Sequence, residues 1–197
     1  MNIIPVTLTG ERAKLVPISL DHVQGLYECS TDPEIWRYIP DTMNSVNDMR
    51  SKVEKALEAQ EAGSELVFTV IDQETGKIAG CTRYYDISLS HKSLEIGYTW
   101  LTPSVWRTRM NTECKYLLLK NAFESVGAIR VALRTDARNQ RSRNAIERLG
   151  AKYEGTLRHH RIMPDGYLRD TVYYSILDDE WPGVKERLES FLTQGKL

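Results

Sequence analysis

The chain has 197 residues, 41% of them apolar and 27% charged, with a formal net charge of −1. This fits a single domain over 1–197, its core over about 10–180, with enough apolar matter for a sizeable interior. A charge so near zero gives no basic field for nucleic acid, and no run approaches the roughly 20 apolar residues of a membrane helix, so neither partner is expected.

Residues 12–18, RAKLVPI, predict a first strand. Ser19 caps a helix over about 20–30, with Leu20, Val23, Leu26 and Tyr27 at helical spacing. DPEIWRYIPDT (32–42) reads as an aromatic, proline-bearing loop, and Ser45 caps a second helix over about 46–61 that stops before Gly63. ELVFTVID (65–72) and KIAGCTRYYDI (77–87) are strands joined by the turn Gln73–Gly76, and SLEIGYTWL (93–101) is a third strand in succession. A helix follows in the second half of SVWRTRMNTECKYLLLKNAFE (104–124). AIRVALRTD (128–136) is a strand, and NQRSRNAIERLG (139–150) is a helix with Gly150 just past its end. The strands AKYEGTLRHH (151–160) and GYLRDTVYYSIL (166–177) flank the turn MPDG, and an amphipathic helix over 179–193 closes the series. The order β-α-α-β-β-β-α-β-α-β-β-α is not a βαβα alternation, which disfavours a doubly wound nucleotide fold.

Three scattered cysteines, Cys29, Cys81 and Cys114, form no CxxC pair. They predict reduced thiols, a cytoplasmic location and no metal site. The start MNIIPVTLTG lacks the pattern of a signal peptide. No cysteine has an evident histidine partner, and neither a G-x-S-x-G nor a phosphate-loop motif occurs. Cys114 aligns with Leu117 and Leu118 and is expected to be buried.

A few polar positions stand out against this frame. Arg107, Thr108, Arg109, Asn111 and Thr112 surround the start of an otherwise buried helix. A helix start offers about four unpaired N–H groups and partial positive charge, and phosphates bind there. Glu95 interrupts an apolar strand and alternates away from Leu94 and Ile96. It is either a proton acceptor or the cross-strand partner of a basic residue. Asn139 and Ser142 sit one turn apart at a helix start, a pattern that also serves as a plain N-cap. His159 and His160 are consecutive on a strand, so at most one faces a cleft.

EIGYTWL, then NTECK (111–115) on a capped helix, then DARNQRSRNAIERLGAKYEG together resemble the GNAT acetyltransferase superfamily, and within it the branch like the ribosomal-protein N-terminal acetyltransferases. The resemblance spans roughly residues 10–180. It implies an α/β (α+β) fold: a mixed, mostly antiparallel sheet of about six to seven strands, flanked by helices and splayed at its central strands. It implies acetyl-CoA as co-substrate, no metal, and a primary amine as acceptor, either a protein N-terminus or a small molecule. The family's Gln/Arg-x-x-Gly-x-Gly/Ala loop falls on Trp106, Arg107, Thr108, Arg109, Met110 and Asn111, so arginine and asparagine stand where glycines are usual. A side chain at 109 would restrict close backbone approach, while Arg107 and Arg109 could pair with phosphates directly. By resemblance, residues 107–112 hold the pyrophosphate, backbone near Trp100 and Leu101 pairs with the pantetheine arm, and Asn139 bonds that arm. Ser142 lies by the thioester sulfur as contact or proton donor, and Glu95 takes the amine proton. Trp36, Tyr38 and Pro40 would wall the acceptor site, with His160 beside it. A coenzyme-binding protein without catalysis, or an interaction module of the same fold, are the alternatives. The exposed strands and the terminal helix offer surfaces on which a homodimer could form.

Overall fold

The computed structural model describes residues 1–41 and 43–194, so the predicted 32–42 loop ends on a residue, Thr42, that lies outside the described part. Among the described residues eight strands form one sheet in the order β1-β2-β3-β4-β5-β6-β8-β7. They are β1 (Leu8–Thr9), β2 (Ala13–Pro17), β3 (Leu66–Asp72), β4 (Lys77–Ser88), β5 (Ser93–Leu101), β6 (Arg130–Asp136), β7 (Lys152–Ile162) and β8 (Leu168–Leu177). Every neighbouring pair is antiparallel except β5 and β6. The sheet is therefore mixed and mostly antiparallel, as the sequence predicts, with one strand more. That strand, Leu8–Thr9, has two residues, too few to leave an alternation in the sequence.

Five α-helices among the described residues cover the sheet: α1 (Val23–Cys29), α2 (Val46–Glu61), α3 (Met110–Lys120), α4 (Gln140–Leu149) and α5 (Trp181–Thr193). The helix expected over 20–30 is split, because Leu20–His22 forms a 3-10 turn and α1 begins only at Val23. Leu20 is 44% exposed and does not share the apolar face. Helices α1 and α2 bury Val23, Leu26, Met49 and Val53 against Val67 and Cys81 on one face of the sheet. On the other face Met110, Cys114 and Leu118 of α3 meet Ile146 and Leu149 of α4 and Leu188 of α5.

A buried carboxylate ties the chain's beginning to its middle. Glu113, 4% exposed on α3, accepts backbone N–H bonds from Glu11 (2.6 Å), Arg12 (2.9 Å) and Ala13 (2.7 Å). Three otherwise orphaned amides at the entrance to β2 are thereby satisfied. Gly10 belongs to the same knot, since a Cβ there would stand 2.5 Å from Glu113 Oε1.

Two irregularities at the middle of the sheet make room for a site. Parallel pairing of β5 with β6 covers only Ser93–Arg130, Leu94–Val131 and Glu95–Ala132. Past Glu95 the strands part, and the edge of β5 from Ile96 onward has no β6 ladder to satisfy its backbone groups. The β4–β5 register also shifts between Cys81 and Arg83, where Tyr98 takes φ 46°. This bulge re-aims the end of β5.

Candidate active site

A cleft of about 1090 Å³ fills the gap between β5 and β6. It runs from the starts of α3 and α4 to the loop before α2 and the β7–β8 hairpin. Leu133, Arg134 and Thr135 of β6 line one side, and Ile96–Leu101 of β5 the other.

The helix-start end is cationic. Arg107, Thr108, Asn111 and Lys115 line it from α3 and its approach, Arg141 and Arg148 from α4. Spacing explains which residues of 107–112 reach it. Thr108, Asn111 and Lys115 follow one helical face, whereas Met110, Cys114 and Leu118, four apart, fill the core. Met110 is therefore a core side chain, fully buried, and not a cleft residue. Thr112 is also fully buried, its Oγ1 accepting from Arg148 Nη2 at 3.0 Å. Arg109 turns away altogether and pairs with Glu11 at 2.8 Å. The strained residue is likewise not 109, where φ is −67°, but Arg107, at φ 59°. Thr108, one residue before the N-cap Arg109, satisfies the first helical amide, its Oγ1 accepting the Met110 N–H at 3.2 Å.

Lys115 has no counterpart among the sequence-derived candidates. It is 6% exposed, its Nζ donates to Thr99 Oγ1 at 2.7 Å, and burial pushes its ammonium down to about 8. Its place one turn after Asn111 was readable from helical spacing. Arg141 lies over the Trp106 ring at 4.1 Å, a contact that only the folded chain creates. Trp100 and Leu101 line the cleft, and the Leu101 carbonyl already accepts from Trp106 Nε1 at 2.7 Å.

Asn139 and Ser142 also line the cleft. Asn139 caps α4, its Oδ1 accepting the Ser142 N–H at 3.0 Å. Asn139→Ala should therefore cost about 1 kcal/mol of stability in a urea titration, whatever it does to a ligand.

At the opposite end, Glu95 is 2% exposed and sits just behind the cleft wall. It is the register partner of Tyr85 on β4 and of Ala132 on β6, and Arg134 follows Ala132 on the same face. Tyr85 Oη donates to Glu95 Oε1, and Arg134 Nε approaches the same oxygen at 2.9 Å. Burial raises the Glu95 carboxyl to about 7, against the opposing pull of Arg134. Tyr85 and Arg134 themselves line the cleft, so Glu95 reaches it through them. Gly97 makes this possible: a Cβ there would stand 2.6 Å from Tyr85 Cε1.

The loop before α2 divides. Tyr38, Ile39 and Pro40 wall the cleft. Trp36 lies one layer behind, its Nε1 donating to Ser30 O at 2.8 Å and its ring 5.5 Å from that of Trp100. It lines a separate small pocket and not the cleft. His160 is also displaced from the cleft wall: its ring packs 5.9 Å from Tyr173, and Arg161 takes the lining position. Strand alternation fails there because β7 bulges between Leu157 and Arg161, with His159 at φ 49°. Arg161 and Arg169 are further lining residues that the sequence left unmarked.

None of the three thiols is activated. Burial pushes Cys29 and Cys114 up to about 12 and raises Cys81 as well. Among the described residues no cluster of His, Cys, Asp or Glu could hold a metal ion, and no helix is long and apolar enough to cross a membrane.

Comparison with known proteins agrees with this architecture. The Acetyltransferase (GNAT) domain family matches residues 12–152. A Bacillus subtilis (strain 168) protein named as a ribosomal N-acetyltransferase, YdaF, is 32% identical over 110 residues, covering 56% of this chain and 59% of that protein. The crystal structure of a GCN5-related N-acetyltransferase from Brucella melitensis superimposes with a TM-score of 0.90 at 27% identity, covering 96% of this chain and 86% of that one. The microcin C7 self-immunity acetyltransferase MccE, solved with acetyl-CoA and AMP, shares the fold at a TM-score of 0.77 and 22% identity, covering 85% of this chain and 93% of its own. A family match over most of the chain, on a sheet split where that family's resemblance implies, leads to one conclusion: this protein belongs to the GNAT acetyltransferase family.

Proposed function

We propose that the chain is an acetyl-CoA-dependent N-acetyltransferase acting on a primary amine, by direct attack within a ternary complex. The observation that carries this reading is the single cleft that joins a cationic helix start to a buried carboxylate across an unladdered strand edge. The residues present fit the coenzyme. Arg107, Arg141, Arg148 and the amides opening α3 suit its phosphates, and Asn111, Lys115, Asn139 and the free edge of β5 suit its amide-bearing arm.

Acetyl-CoA supplies the activated acetyl group. The chain's part is placement, electrostatics and proton handling. As the amine nitrogen bonds the acetyl carbon and the carbon–sulfur bond breaks, Tyr85 Oη passes the amine's proton to Glu95. Ser142, which lines the cleft one turn from Asn139, is our candidate to return a proton to the departing sulfur. Most thiolates need little help, with a pKa near ~8.5. An acceptor carboxyl near 7 matches a peptide α-amine of pKa ~7.7–8.0 better than a lysine near ~10.4. This favours a protein N-terminus or a small amine. A cytoplasmic setting suits three unpaired cysteines, two of them buried.

Isothermal titration with acetyl-CoA, followed by thiol release with a panel of amines, tests the reading. Binding with turnover on some amine supports it. Binding without turnover on any would leave a coenzyme-binding protein, and no binding would sink it. Arg107 offers a finer check. Arg107→Gly should relieve the left-handed backbone and raise stability by about 1 kcal/mol, yet weaken acetyl-CoA binding in the same titration.

A further inference from the structure

The amine end of the cleft carries more positive charge than it matches. Arg134 is paired with Glu95 at 2.9 Å, Arg138 with Asp136 at 2.8 Å, and Glu34 is engaged by Arg37 at 3.3 Å. That leaves Arg161 and Arg169, which face each other as register partners across the β7–β8 hairpin and both line the cleft. Among the described residues the Arg161 side chain has no hydrogen bond or ion pair, although its backbone belongs to the hairpin ladder. Arg169 shares Asp136 with Arg138, its Nε lying 3.9 Å from the carboxylate, and its Nη1 makes a long contact of 3.5 Å to the Tyr38 carbonyl.

Arg169 is 8% exposed, and its Nε has no hydrogen-bond partner. Two neighbours share that condition: Thr171 Oγ1, two positions along β8 on the same face, and His160 Nδ1 on β7. Three of the five buried unpartnered side-chain atoms among the described residues thus cluster at this end. A buried donor without a partner is costly, and a buried guanidinium beside a second one more so. Burial, with Arg161 and Arg134 nearby, pushes Arg169 below the ordinary arginine range despite Asp136. An anion placed between Arg161 and Arg169 would remove both penalties, and a planar guanidinium pair is suited to a carboxylate or phosphate.

We propose that the acceptor is an amine carried on an anionic molecule, whose carboxylate or phosphate docks against Arg161 and Arg169 while the amine points to Tyr85. This rests on the N-acetyltransferase reading and names the class of its second substrate. A cationic acceptor such as a polyamine would meet uncompensated like charge at the same place.

Matched acceptors test it. With the full chain and saturating acetyl-CoA, kcat/KM is measured for O-phosphoethanolamine against ethanolamine, and for the C-terminally amidated peptide Ala-Glu-Ala against Ala-Gln-Ala. The anionic member of at least one pair should be preferred by about 10-fold or more, and Arg161→Gln should reduce that preference to about 2-fold or less. The affinity for acetyl-CoA should not change in that variant. Neutral members used equally well in both pairs, or a preference that survives Arg161→Gln, overturns the proposal. The two pairs also tell phosphate from carboxylate. Should no amine be acetylated, thermal shift still decides the anion site. With acetyl-CoA saturating, inorganic phosphate should stabilise the wild type and not Arg161→Gln, and equal responses overturn it. Stabilisation by acetyl-CoA alone, read in the same assay, reports separately on the N-acetyltransferase reading.

Discussion

Glu95→Gln is expected to lower kcat by about 10²-fold or more at pH 8, with acetyl-CoA affinity nearly intact. The carboxyl is buried behind Tyr85 and held near 7 by desolvation. Only its ionised form accepts a proton, so wild-type kcat/KM should climb through about 7 in a limb additional to the deprotonation of the acceptor amine itself. The variant should lose that limb of the profile. Tyr85→Phe, which keeps the ring over Gly97 but removes the linking hydroxyl, should reproduce much of the defect. The same group also makes stability depend on pH, in the opposite sense. A carboxyl whose folded value lies above its ordinary value of 4.5 binds more protons folded than unfolded between 4.5 and about 7. Its contribution therefore favours folding at low pH and declines as pH rises through that window. Full turnover by Glu95→Gln across the profile would remove Glu95 from the chemistry and leave it as the partner of Arg134.

Glu113→Ala should be the most damaging single substitution for stability, costing about 3 kcal/mol or more. The side chain accepts three backbone N–H groups from Glu11, Arg12 and Ala13, and truncation strands all three in a largely buried place. Glu113→Gln, which keeps one acceptor oxygen, should lose less. Urea unfolding of the two variants checks the ranking. A loss below about 1 kcal/mol for the alanine variant would mean that water replaces the carboxylate freely. Because α3 also forms one wall of the cleft, weaker acetyl-CoA binding should accompany the loss.

What could be read from the sequence divides along physical lines. Strand alternation and helical spacing are local, so the elements and their order were legible, Gly150 closing α4 among them. One feature of EIGYTWL was legible as well: a carboxylate in an apolar strand, either a proton acceptor or the cross-strand partner of a basic residue. The residues it meets were not, because Tyr85 and Arg134 reach Glu95 only through register across three strands. The loop over 107–112 was read as one block. The helix divides it instead, sending Met110 and Thr112 inward, Arg109 out to Glu11, and Arg107, Thr108 and Asn111 to the cleft. His160 was misplaced for a different reason: a bulge breaks the period of two on which the inference depended. Trp36 was drawn inward by another tryptophan, Trp100, more than 60 positions away. Arg161 and Arg169 carry no local signature, since their significance lies in the partners they lack.

The short seam between β5 and β6 carries a last consequence. Three residue pairs are all that join one half-sheet to the other there. Lengthening that zipper by even two rungs would add cohesion and at the same time shut the doorway. Selection for sturdiness and selection for turnover therefore pull against each other along this line, and gains in robustness are more readily sought far from it, at the outer edges of the sheet.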